Sequence, residues 1–263
     1  MNDLPDLFSA ATAVRSLGDG SFVADLHQDW AVGDRPHGGY LLAMMARAAT
    51  DGRSLSPLSV SAQFLRSPQS GPVLIRTETL KTGRTVTVAR TTLEQRGQVC
   101  VDATLSLGEI PAEEPAWSDV PDMPVNPPAD ALDLSTSDAV KFFGLARTCD
   151  VRLDRAGAGF LDGDVDCPPR LRLWAKPRGA QPDLLFGLVA GDLTMPVTFN
   201  LGRFGWSPTV QLTALMRARP ANGWLRLFVE AKAVHGRWFD EDTTVVDSTG
   251  RIVCQARQLA ISG

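Results

Sequence analysis

The stretch His37-Gly38-Gly39-Tyr40-Leu41-Leu42-Ala43-Met44-Met45-Ala46 carries no formal charge before Arg47. Leu, Ala and Met are strong helix formers, and a helix that is apolar all round has to be wrapped by other structure. At about 1.5 Å per residue the run spans roughly 20 Å, too short to cross a bilayer. The chain must therefore build a shell around a central helix, which Asp51-Gly52 terminates. Two glycines at its start leave the first backbone N–H groups uncovered by side chains, an electropositive site for an oxygen-bearing ligand. On this stretch alone, the glycines need do no more than feed a core helix.

The chain after this helix is β-rich. Residues 58–65, 73–80, 85–94 and 98–107 alternate or nearly alternate in polarity, with turns between them, and residues 21–26 form an earlier strand after a short helix at 7–17. Six of the 18 prolines fall between Pro111 and Pro128, marking a linker. Beyond it the order recurs. Strands at 149–153 and 170–175 precede a second apolar helix at 182–193, with Pro182 in its first turn and Asp183 suited to the N-terminal dipole. Four more strand-like runs occupy 209–217, 224–234, 237–247 and 252–261. Phe64-Leu65-Arg66-Ser67-Pro68 matches Leu215-Met216-Arg217-Ala218 with Pro220 beyond it. Likewise Gly71-Pro72-Val73-Leu74 matches Gly223-Trp224-Leu225, and Gly97-Gln98-Val99-Cys100 matches Gly250-Arg251-Ile252-Val253, at an offset of about 150 residues. Two copies of a helix plus an antiparallel sheet predict an α+β protein in which each sheet wraps its own helix and the copies pack side by side. The expected parts are an N-terminal repeat over 1–110, a Pro-rich linker over 111–144 and a C-terminal repeat over 145–263.

Composition narrows the function classes. The net charge is −4, with 26 basic and 30 acidic residues, no basic block and one Tyr, which argues against nucleic acid as the main partner. The N-terminus lacks the order of a signal peptide and no apolar run approaches membrane length, predicting a cytoplasmic protein without a membrane partner. Cys100, Cys149, Cys167 and Cys254 lie far apart, which suits free thiols better than disulfides or zinc. With His27, His37 and His235 the only histidines, neither a metal site nor a cofactor is expected. Antiparallel sheet edges invite pairing, so association of copies into a homo-oligomer is expected.

A buried helix wrapped by an antiparallel sheet, duplicated in one chain, resembles the hotdog fold in its double form, and most nearly the acyl-CoA thioesterase II family. The resemblance covers residues from about 20 to 108 and from about 145 to 262. It is carried by His37-Gly38-Gly39 with its helix, Phe64-Leu65-Arg66, Glu78-Thr79-Leu80 followed by Gly83, and Gln255-Ala256-Arg257-Gln258-Leu259. The resemblance implies hydrolysis of an acyl thioester, carried by CoA or by an acyl-carrier protein. In that family an Asp, a Thr and a Gln hold the attacking water, and they fall here on Asp192, Thr209 and Gln258. Where the family has an acid-histidine step after the Thr, this chain reads Gln211-Leu212, which bears on substrate preference more than on the reaction.

The chemistry stands beside the resemblance. Water attacks a thioester carbonyl when a base takes its proton and something stabilises the oxyanion. Asp192 lies in an otherwise apolar segment, where an unpaired carboxylate is costly and where burial makes it a better base. Thr209 and Gln258 can each donate or accept. Pro196 is expected to bend the helix at Asp192 and open the wall beside the carboxylate. Superposing the two helices sets Asp192 opposite Arg47. In hotdog dimers the acid of one helix faces the N-terminus of the other, so the resemblance implies one working site that combines Asp192 with the N–H groups of Gly38, Gly39 and Tyr40 as substrate-binding oxyanion donors. The mirror site, Arg47 with the Pro182 end, lacks a base. Trp206, Phe204, Met195 and Met44 are expected to contribute to an acyl pocket, and Arg66, Arg84 and Arg90 are candidates for meeting phosphates. Two rival readings are a non-catalytic acyl-binding protein and an acyl-CoA hydratase or dehydratase. The latter chemistry looks for a His shortly after the Asp, where Val197 stands.

Overall fold

The alternating runs become strands of one sheet around two helices. The structure, a computed structural model, describes residues 7–263. In chain order the elements are α1 (Leu7–Ala11), β1 (Arg15–Gly18), β2 (Ser21–Leu26), β3 (Ala31–Val32), β4 (Arg35–Pro36) and α2 (Gly38–Thr50). They continue with β5 (Ser56–Phe64), β6 (Gly71–Lys81), β7 (Thr87–Gln95), β8 (Gln98–Gly108), β9 (Leu132–Asp133), α3 (Leu145–Thr148), β10 (Cys149–Leu153) and β11 (Arg170–Pro177). The last are α4 (Phe186–Ala190), β12 (Thr209–Met216), β13 (Leu225–Glu230), β14 (Val234–His235), β15 (Trp238–Val246) and β16 (Ile252–Ile261).

The 14-stranded sheet runs β1-β2-β6-β7-β8-β5-β12-β16-β15-β13-β11-β10-β9, with β14 beside β15. Read outward from the β5–β12 junction, the two halves have the same order, which is the mirror a duplicated unit produces. At that junction Ser61 lies opposite Thr213 and their hydroxyls are 3.0 Å apart. The aligned glycines also agree in backbone conformation: Gly71 and Gly223 have φ of 116° and 115°, and Gly97 and Gly250 have 73° and 94°. These left-handed values suit glycine alone, so the repeat preserves its turns where it preserves their glycines. The fold is a double hotdog.

Helix α2 runs down the core of the first copy as its composition requires, with Gly39 to Ala46, Ala48 and Ala49 all buried. Leu41, Leu42, Met44 and Met45 are each at most 2% exposed, and burying each side chain stabilises the fold by about 1.5–3 kcal/mol. The second helix is shorter than its sequence run. Regular α-helix covers only Phe186–Ala190, preceded by a turn in which Asp183 Oδ1 accepts the Phe186 N–H at 2.7 Å. Gly187 and Gly191 let α4 lie close on the sheet: an added Cβ would come within 2.8 Å of Met216 Cε and 3.1 Å of Cys254 Sγ.

Two further expectations are corrected. The helix expected over 7–17 stops at Ala11, and residues 15–18 extend instead to pair with β2 through a turn at Gly18-Asp19-Gly20. The strand expected over 224–234 ends at Glu230, because the Asp240 carboxylate takes the N–H groups of Lys232 and Ala233 and turns the chain. The Pro-rich segment packs against the second copy. Arg226 donates to the Met123 carbonyl and Trp174 Nε1 to the Pro124 carbonyl, while β9 adds an edge strand to β10.

Candidate functional site

The site forms where the start of α2 meets the turn after α4. Asp192 lies just beyond the α4 C-cap, Gly191, rather than inside a helix. Its N–H reaches only the Val189 carbonyl at 3.1 Å, a tightened last turn. Pro196 therefore bends no helix: it leads into a 3-10 turn over Val197–Leu201, and the Asp192 carbonyl is taken by the His37 ring and the Thr194 N–H. The expected bend at Asp192 is replaced by an earlier stop at Gly191.

Two close approaches put the carboxylate against the first copy. A Cβ on Gly39 would fall 2.5 Å from the Leu188 carbonyl oxygen and 2.9 Å from Val189 Cα, so only glycine lets the chain segments cross here. One on Gly38 would fall 2.7 Å from Asp192 Oδ2 and 3.0 Å from the Phe64 ring. The Gly39 N–H donates to Asp192 Oδ2 at 2.7 Å. Oδ1 takes no protein hydrogen bond among the described residues. Burial drives the Asp192 pKa above the ordinary carboxylate range, against the opposing pull of the His37 ring and the Gly39 N–H.

His37 is the part of this site that the sequence pattern left unassigned. It caps α2, with Nδ1 accepting the Tyr40 N–H at 3.3 Å. Nε2 then carries the hydrogen, donating to the Asp192 carbonyl at 2.9 Å and standing 3.5 Å from Oδ2. A histidine immediately before a glycine pair and an apolar helix is the available signal, and it marks the resemblance without assigning the ring a role. The Tyr40 side chain faces away from the carboxylate, stacked on Trp30 with its hydroxyl donating to the Ala11 carbonyl. Its burial pushes its pKa to about 12. Of the three N–H groups expected to receive an oxyanion, Gly39's is held by Asp192 and Tyr40's by His37. This corrects the expectation for those two. The Gly38 N–H has no protein partner among the described residues.

Thr209 and Gln258 meet on adjacent strands. The Thr209 hydroxyl donates to Gln258 Oε1, and Gln258 Nε2 donates to Glu241 Oε1 at 2.8 Å. Glu241, also unassigned from sequence, accepts the Val197 N–H at 3.1 Å on its other oxygen. Its pKa is pushed up to about 8, mainly by burial, with the charge of Asp192 among the raising causes. Thus the acid of the α4 turn and the hydrogen-bonded row Thr209–Gln258–Glu241 share one electrostatic environment. Gln211 stands apart, donating to Thr213.

The opposite end of the helix pair is filled by α1. Arg47 Nη2 donates to Thr12 at 2.9 Å, and Phe8 meets the Phe186 ring edge-on at the start of α4. Of the expected pocket residues, Met44 is packed in the core, Met195 is partly buried, and Phe204 and Trp206 are exposed. Arg35 lies over the Trp206 ring. Arg90 is paired with Asp102, and Arg66 donates to the Val99 carbonyl.

Comparison with known proteins bears on both copies. Residues 26–108 match the acyl-CoA thioesterase N-terminal domain and residues 118–262 the acyl-CoA thioesterase C-terminal domain. The chain belongs to this acyl-CoA thioesterase family. An uncharacterized protein of Mycobacterium tuberculosis is 37% identical over 97% of this chain and 98% of its own length. A Thermobifida fusca structure provisionally assigned as a thioesterase II superposes with a TM-score of 0.89 at 31% identity, over 99% of both chains. A hot dog fold protein of unknown function from Alicyclobacillus acidocaldarius gives 0.81 at 23% identity, over 97% of each chain, and speaks for the fold.

Proposed function

We propose that the protein hydrolyses an acyl-CoA thioester to the free acid and CoA, with Asp192 as general base. The observation that carries this reading is a buried carboxylate of the second copy whose Oδ2 is tethered by the Gly39 N–H of the first. The tether leaves Oδ1 to take a proton. Water, held by Asp192 and Thr209, attacks the thioester carbon; the C–O bond forms as its proton passes to Asp192. The oxyanion is received at the Gly38 N–H, where the helix N-terminus favours negative charge. The C–S bond then breaks, and the thiolate leaves as CoA and is protonated.

His37 weighs against the hydratase or dehydratase alternative although it stands beside Asp192. Both of its ring nitrogens are occupied by protein groups, Tyr40 N–H and the Asp192 carbonyl, so neither is open to exchange a proton with an acyl chain. The deciding experiment is thiol release from a panel of acyl-CoA esters by wild type and Asp192→Asn. The expected result is turnover on part of the panel and its near-complete loss in the variant. Turnover by the variant equal to wild type refutes the assignment of Asp192, and no release from any ester favours a non-catalytic binder.

A further inference from the structure

Glu241 is a buried acid that the hydrolytic scheme leaves without a task, and a carboxylate is costly to bury unless its partners compensate it. It occupies an inward position of β15, between Phe239 and Thr243, and lies directly across the ladder from Gln258. Both of its oxygens accept N–H groups, from Val197 and from Gln258. Since an ionised carboxylate can only accept, Gln258 must turn its NH2 toward Glu241 and its carbonyl toward Thr209. Thr209 spends its single hydrogen on that carbonyl. Toward anything else, the hydroxyl can then only accept.

We infer that Glu241 is a positioning residue that sets the direction of hydrogen bonding through Gln258: ionised, it makes Thr209 an acceptor for the attacking water, and protonated, it reverses the row. This rests on the hydrolytic reading of Asp192. A nucleophilic water needs its hydrogens held by acceptors and a lone pair left for the carbonyl carbon; Asp192 and Thr209 supply the two acceptors. A proton on Glu241 has to be donated in its turn. Gln258, turned about its amide, receives it on the carbonyl and donates its NH2 to Thr209, which releases the threonine hydrogen toward the lone pair of the water. The nucleophile is then blocked.

The surroundings place this switch in an accessible range. Asp192, from the turn after α4, and Asp240, on the same strand, both favour the protonated acid, and burial does so most of all. The Val197–Leu201 turn carries no titratable side chain. Arg257 on β16 is engaged by Asp240 and Asp242, and Glu230 on β13 by Arg170 and Lys232.

The test is the pH profile of kcat, corrected for uncatalysed hydrolysis. Wild type should gain roughly tenfold between pH 7 and 9 with KM little changed, as a single group titrating near pH 8 requires. Glu241→Gln should lose that limb. A Glu241 that merely supported the fold would lower the rate at every pH and leave the limb in place, and that result overturns the inference. Wild type also gives a readout independent of catalysis and of the variant's folding. The side-chain amide 15N–H signals of Gln258, identified by their loss in Gln258→Leu, should shift with a midpoint near pH 8. Thiol release with an amide that does not titrate sinks the switch alone. A titrating amide without thiol release sinks the hydrolytic reading and keeps the switch.

Discussion

Replacing Gly39 by Ala tests whether the crossing at the start of α2 is as tight as the structure describes. The new Cβ lands 2.5 Å from the Leu188 carbonyl oxygen, against about 3.4 Å for ordinary contact, so the α4 backbone must retreat by roughly 0.9 Å. It has little room, because Gly187 and Gly191 already set it close on Met216 and Cys254. Overpacking of this kind costs about 1–3 kcal/mol, and an immovable backbone puts the site at the upper end. Ala gains up to about 1 kcal/mol over Gly in helix propensity, leaving a net loss of roughly 2 kcal/mol. For a chain of this size that is about 4–8 °C in Tm. Gly38→Ala is the control. Its Cβ meets the Asp192 carboxylate and the Phe64 ring, side-chain ends rather than backbone, so the main loss is the bond from the Gly39 N–H to the displaced carboxylate, about 1 kcal/mol. Turnover should nonetheless collapse, because the displaced group is the proposed base. Urea unfolding and thiol release on both variants measure the two effects. Equal stability losses, or a Gly39→Ala variant as stable as wild type, would refute the reasoning.

The same contacts set the outcome of other substitutions. His37→Ala removes the α2 cap and the bond to the Asp192 carbonyl, and should cost about 1–2 kcal/mol in stability together with a fall in kcat; His37→Asn, which restores the cap alone, should recover stability more than rate. Arg47→Met removes a guanidinium whose Nε is buried without a partner among the described residues and should leave kcat near wild type; a loss equal to that of Asp192→Asn would refute the asymmetry between the two ends. Glu241 binds its proton more tightly in the folded chain than in the unfolded one, so its contribution to stability is fully present below the ordinary carboxylate range. It is lost as pH rises through about 8. Unfolding free energy should therefore decline by a few kcal/mol, on the order of the shift, between about pH 5 and 8, and Glu241→Gln should flatten the slope. An unchanged slope in that variant would count against the burial of this acid as the cause.

Much of the fold was legible in the chain. An apolar helix all round requires a wrapper, strands that alternate in polarity supply one, and three aligned landmarks showed that the unit occurs twice. The misread elements were those where a side chain competes with local pattern. Asp240 captured two N–H groups and ended β13 early, and the close fit of Gly187 and Gly191 to the sheet accompanies a short α4. Of the site, Asp192, Thr209 and Gln258 could be named because family resemblance marks positions. Glu241 had a weaker signal, a carboxylate on the inward parity of an alternating strand between Phe239 and Thr243. It went unread because parity alone does not say what lies opposite.

The sequence by itself determined the parts: a helix that must be enclosed, a duplicated order of strands, glycines at the turns, and an acid, a hydroxyl and an amide in the second copy. Only the tertiary structure decided the partners. Asp192 and Gly39 are separated by 153 positions and joined by one hydrogen bond, a distance at which no local pattern constrains pairing. Whether a carboxylate stays charged, and which way an amide points, depends on how deeply it is buried and on which groups remain within reach. Those are properties of packing, and they arise only when the two copies close on each other.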